Sequence, residues 1–146
     1  MMCDDEPPCS FVVDCAGLHE IATTPSNSIK SICMDRLSKG IIGVPACVWQ
    51  EFHELYEDEA AGLAAYVKRK IRMQKKYYIG AAAIADGMNS RFSLSAYDLR
   101  TDWYAAAICS IENYTLLTTS SQLNEYRKMD CCTVVEITAW AGNLII

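Results

Sequence analysis

Four short β-prone runs, each separated from the next by helical periodicity, constrain this chain most. They are Phe11-Val12-Val13, Ile41-Ile42-Gly43-Val44, Thr115-Leu116-Leu117-Thr118-Thr119 and Thr133-Val134-Val135-Glu136. The first does not alternate between apolar and polar residues, which predicts a strand covered on both faces. Strands that alternate with helices imply an α/β fold with a mostly parallel sheet. Right-handed crossovers then bring the carboxyl ends of all strands to one edge, where open α/β sheets bind ligands.

The intervening segments carry helix signals. Asp14 ends the first strand and is placed to cap a helix beginning near Ala16. Ser28 is read as the cap of a helix with Ile29, Ile32, Cys33 and Leu37 on one face, closed by Gly40. Pro45 suits the first turn of the next helix, where Val48, Phe52 and Leu55 repeat and Glu51 falls near the inward face. Ala60 to Tyr78 reads as one longer helix with the apolar stripe Leu63, Val67, Ile71 and Tyr78, broken at Gly80. Ala81 to Met88 is a shorter helix and Asn89 to Leu94 a loop. Thr101 is the expected cap of a helix whose first turn holds Asp102, with small alanines for close packing and Asn113 at its end. Gln122 to Lys128 forms a short amphipathic helix, and Ala139 to Ile146 a terminal helix or an irregular tail.

Composition narrows the function. At 146 residues, 51% apolar and 21% charged, the chain suits one folded domain, expected over 11–146 behind a loose acidic tail at 1–10. Its net charge of −5 argues against a protein that coats nucleic acid generally, though local patches can bind phosphates. No apolar run approaches a membrane span, and Asp4, Asp5 and Glu6 stand where a signal peptide needs basic and apolar residues; the expected location is cytoplasmic. None of the eight cysteines forms a C-x-x-C pair or a zinc-like spacing, so they read as reduced, small core residues.

Three acids share one expected address. Asp14 ends strand 1, Glu51 lies in the helix after strand 2, and Asp102 opens the helix before the Leu116-Leu117 strand. Converging carboxylates repel unless a cation neutralises them, and hard oxygen ligands select Mg²⁺ or Mn²⁺. Such ions hold phosphodiesters and activate water.

Four pieces of the sequence resemble the PIN-domain ribonucleases, especially VapC-like toxins. They are Phe11-Val12-Val13-Asp14, Val44-Pro45-Ala46-Cys47-Val48-Trp49-Gln50-Glu51, Asp102-Trp103-Tyr104-Ala105-Ala106-Ala107 and Leu116-Leu117-Thr118-Thr119-Ser120. Their order and spacing carry the resemblance, from Phe11 to Val135. It implies a PIN-like three-layer fold with a parallel sheet of four or five strands between helices. It also implies Mg²⁺- or Mn²⁺-dependent cleavage of single-stranded RNA, often by homodimers and often with an antitoxin partner. Asp14, Glu51 and Asp102 would be the metal ligands, while Thr118 and Ser120 would position water around the metal. The family usually has aspartate or asparagine where this chain has Ser120, which brings no charge. Asp98 would compensate if the Asp102 helix starts earlier, with Ser95 as its cap.

Six of the 13 basic residues lie between Lys68 and Lys76. Within one Ala60–Tyr78 helix, Lys68, Arg72, Lys75 and Lys76 would share a face, either solvated, docking an acidic partner or contacting RNA phosphates beside the acidic pocket. Trp49, Tyr56, Tyr77, Tyr78 and Trp140 exceed what one small core is expected to bury, which favours a homodimer. Two alternatives remain: a catalytically weak PIN-like module that binds RNA or protein, and a phosphatase or receiver-type domain. The latter is disfavoured because there is no Asp-x-Asp pair and no suitable lysine after a late strand.

Overall fold

The computed structural model describes residues 10–88 and 101–144. Residues 1–9 of the tail expected over 1–10, the 89–94 loop, Ser95 and Asp98 lie outside them. The described elements run β1 (Phe11–Val13), α1 (Cys15–Thr23), α2 (Asn27–Ser38), β2 (Ile42–Pro45), α3 (Ala46–Leu55), α4 (Glu57–Leu63) and β3 (Lys70–Ile71). They continue with α5 (Lys75–Met88), α6 (Thr101–Glu112), β4 (Thr115–Thr118), α7 (Ser120–Met129), β5 (Val134–Glu136) and α8 (Ile137–Gly142).

The strands form one parallel sheet of five, in the order β3-β2-β1-β4-β5. The central strands are covered on both faces: Val12, Val13, Ile42, Val44, Leu116 and Leu117 are all fully buried. Helix α6 packs on the sheet through Ala105, Ala106 and Ile108, because alanine lets a helix backbone approach closely. Asn113 ends α6 with a φ of 63°, a left-handed conformation that asparagine tolerates. Val13 pairs with Leu117, so Asp14 and Thr118 follow as neighbours at the carboxyl edge. The same rung continues to Glu136 on β5.

The long helix expected over Ala60 to Tyr78 is absent. That stretch is the end of α4, a turn, the edge strand β3 and the start of α5. Leu63 and Val67 are buried as expected, but Ile71 lies beside Pro45 in the sheet, and Tyr77 rather than Tyr78 turns inward. A four-residue apolar spacing fits this arrangement as well as it fits a helix. The sheet edge decides the matter: the Val44 amide donates to the Arg69 carbonyl at 2.9 Å, and Arg69 Nε donates to the Gly40 carbonyl at 2.9 Å.

Gly80 does not break a helix but lies inside α5. A Cβ there would sit 3.2 Å from both Ala107 Cβ and Ile111 Cδ1, so glycine lets α5 and α6 pack tightly. Ser26, not Ser28, caps α2, accepting from the Ile29 amide at 3.2 Å. Pro45 closes β2 with ψ at 142° instead of entering α3. Thr101 lies within α6 and is not a cap preceding it. The terminal helix starts at Ile137, with Glu136 accepting from the Thr138 amide.

Candidate active site

Asp14 leaves the end of β1 in extended conformation and caps α1, its Oδ1 accepting the Gly17 amide at 2.7 Å. Gly17 is required here, because a Cβ would meet Val13 Cγ2 at 2.5 Å and Ile137 Cδ1 at 2.9 Å. Asp14 Oδ2 accepts two more hydrogen bonds at 2.7 Å, from the Thr118 hydroxyl and from the Tyr126 hydroxyl. Both donors are buried, and Asp14 itself is 3% exposed. Burial pushes the Asp14 carboxyl above its usual pKa, against the opposing pull of these three donors; the negative Asp102 pushes the same way as burial. Burial and the Asp14 charge likewise drive the Tyr126 phenol well above its usual range, so it remains a donor.

Above Asp14 opens a pocket of about 360 Å³ whose lining includes Asp14, Cys15, Glu51, Thr101, Asp102 and Gln122. The three acids singled out from the sequence therefore meet at one cleft. Glu51 arrives from α3, one turn before Leu55, and is half-buried. Its Oε1 accepts the Thr101 hydroxyl. Asp102 lies in the first turn of α6, where the helix dipole favours its charge, and its Oδ1 accepts the Trp103 amide at 3.0 Å.

Thr118 is fully buried and is engaged by Asp14, so it braces the carboxylate from below. Ser120 is exposed at the start of α7 and does not line the pocket, whereas Gln122 does. Tyr126 and Cys15 were not anticipated as parts of the site. The signal for Tyr126 was faint: an aromatic in a short amphipathic helix, which now proves to be its buried residue.

The basic residues do not share a helix face. Lys68 lies in the loop before β3, and Arg72 in the loop after it. Both are exposed. Lys75 and Lys76 begin α5, where Lys76 pairs with Glu112 at 3.0 Å. Because β3 runs parallel to β2, Arg72 belongs to the carboxyl edge that holds Asp14, and Lys68 to the opposite edge.

This architecture is shared with solved structures. The DNA-bound VapBC of Salmonella typhimurium superposes with a TM-score of 0.65 at 12% identity, covering 89% of this chain and 99% of that one. The fold is PIN-like. PAE2754 from Pyrobaculum aerophilum matches with a TM-score of 0.59 at 14% identity, over 93% and 96% of the two chains. VapBC-1 from nontypeable Haemophilus influenzae matches at 0.59 and 11%, over 88% and 98%. No protein-family model and no curated protein sequence matches this chain. The likeness thus lives in the PIN-like architecture and not in sequence identity.

The donor set of the pocket suits a hard divalent cation in kind: three carboxylates, one of them forced into a buried position where its charge is unfavourable. They stand around the cleft and not around one point; among the described residues no three His, Cys, Asp or Glu side chains form a ready-made metal cage. Among those residues, too, no helix is long and apolar enough to cross a membrane.

Proposed function

We propose that this chain is a metal-dependent endoribonuclease, the toxin of a toxin–antitoxin pair acting in the cytoplasm. The observation that carries the reading is the buried, triply hydrogen-bonded Asp14 opening into a cleft with Glu51 and Asp102. The PIN-like fold shared with VapBC structures gives that cleft its context.

Asp14, Glu51 and Asp102 would hold Mg²⁺ or Mn²⁺, joined by Asp98 from outside the described residues. The ion, when bound, supplies charge neutralisation for the phosphodiester and acidifies a water for attack. The chain's own contribution is orientation. Gly17, Thr118 and Tyr126 fix Asp14 in one rotamer and occupy three of roughly four acceptor sites of a carboxylate, leaving capacity on Oδ1. Arg72 and Lys75 would hold the RNA backbone beside the acids, offsetting their repulsion of phosphate; Lys76, already paired, and Lys68 would add less. Ser120, with no charge, would at most orient water through its hydroxyl.

The partners proposed are RNA, a small antitoxin protein and a second copy of the chain. Most of the aromatics expected to remain uncovered are buried or packed: Tyr77 is buried, Trp140 packs on Phe11, and Tyr56 stacks on His19. The apolar surface instead includes Tyr78, Ile79 and Ile111 on α5 and α6, 43%, 61% and 42% exposed. A second reading, a PIN-like module that binds RNA or protein with little catalysis, draws on Ser120. RNA cleavage with Mg²⁺ or Mn²⁺ separates the two: wild type should cleave single-stranded RNA and Asp14→Asn should not. Equal cleavage by both proteins would sink the nuclease reading.

A further inference from the structure

We propose that Thr101 is a positioning residue that fastens Glu51 in the wall of the acidic cleft; the proposal rests on the nuclease reading above. Three helices meet beside this carboxylate. Glu51 comes from α3, the Thr101 hydroxyl reaches its Oε1 from α6, and Cys15, at the start of α1, lines the same pocket. One donor leaves most of the carboxylate's acceptor sites open for a cation.

The need for a fastening follows from what lies behind Glu51. A second cleft of about 430 Å³ shares Glu51, Leu55 and Thr101 with the acidic one, and its other walls are Cys47, Gln50 and Glu54. Neither Asp14 nor Asp102 lines it. Glutamate has three side-chain torsions, and an unrestrained Glu51 could turn into this second space. There it would be turned away from Asp14 and Asp102, which repel it as long as no cation is bound, although Glu54 lines that space too. The hydrogen bond from Thr101 restrains that movement and ties α6, which carries Asp102, to α3.

The test uses the full chain with Mn²⁺ and a single-stranded RNA. Thr101→Val keeps the shape and removes the donor; Thr101→Ser keeps the donor. Thr101→Val should raise the Mn²⁺ concentration for half-maximal cleavage by roughly tenfold, the scale of one hydrogen bond to a charged group, with kcat at saturating Mn²⁺ largely recovered. Thr101→Ser should behave as wild type. A purely structural role would lower the melting temperature and kcat without moving half-saturation, and that result overturns the proposal. A stability cycle with Glu51→Ala tests the fastening without any catalysis. Thr101→Val should lower the melting temperature by about 3 °C in wild type and by much less in Glu51→Ala. Equal shifts in both backgrounds overturn the contact. If wild type neither binds Mn²⁺ nor cleaves RNA, the nuclease reading fails, and the stability cycle alone decides whether Glu51 is fastened.

Discussion

Tyr126→Phe removes one hydroxyl from the floor of the acidic cleft and leaves the ring in place. That hydroxyl donates to Asp14 at 2.7 Å, and both side chains are almost wholly buried. A hydrogen bond to a charged group contributes about 1.5–3 kcal/mol, against about 0.5–1.5 kcal/mol between neutral partners. Thr118 and Gly17 still hold the carboxylate in the variant, so the fold should survive. With Asp14 ionised, the loss should lower the melting temperature by roughly 3–12 °C for a domain of this size. The phenol favours the ionised form of Asp14, so its removal raises the Asp14 pKa further. The penalty should therefore be largest at pH values above that pKa and should shrink as the pH falls and Asp14 takes up a proton. Thermal unfolding of both proteins without metal, followed by circular dichroism between pH 4 and 8, reads this directly. A penalty that is the same at every pH, or unchanged in an Asp14→Asn background, would refute a charge-assisted bond.

Three further outcomes follow from the same geometry. Because burial raises the folded-state pKa of Asp14 above its unfolded value, the metal-free native state holds that proton more tightly. Stability should fall as pH rises from about 4 through the folded pKa, and Asp14→Asn should flatten that slope in urea titrations; an unchanged slope would show that Asp14 is not its source. Replacing Arg72 and Lys75 by Ala should weaken RNA binding and reduce its salt dependence by roughly one unit of slope per lost phosphate contact, whereas Lys68→Ala should do less, since it belongs to the other sheet edge. Melting temperatures should hardly move, because exposed charges contribute little to stability. Light scattering at micromolar concentration should give a dimer mass, and Ile79→Glu should reduce it to that of a monomer; a wild-type monomer would refute the dimer.

The strand runs and the three acids could be read from the sequence because their signals are local. A β-branched run ending in Asp14, or an acid in the first turn of an alanine-rich helix, needs no distant partner to be recognised. What escaped was set by distant contacts. Strand β3 has only two residues and exists through its pairing with β2, so a four-residue apolar spacing there read as helix. Gly80 read as a breaker because propensity knows nothing of the α6 surface it lies against. Thr101 showed its capping preference, but its hydroxyl is committed to Glu51, fifty positions earlier. Tyr126 reaches Asp14 across 112 positions, a pairing no periodicity carries.

Asp14, Glu51 and Asp102 are proposed to form a cation site, which Mn²⁺ binding followed by electron paramagnetic resonance can detect without RNA. The loss of the free-ion signal on titration counts the ions held by the protein, independently of any RNA. Wild type should bind Mn²⁺ saturably below millimolar concentration, and Asp14→Asn and Asp102→Asn should bind it far more weakly, with circular dichroism spectra unchanged. No binding at millimolar Mn²⁺, or binding that both substitutions leave intact, would contradict the proposed site.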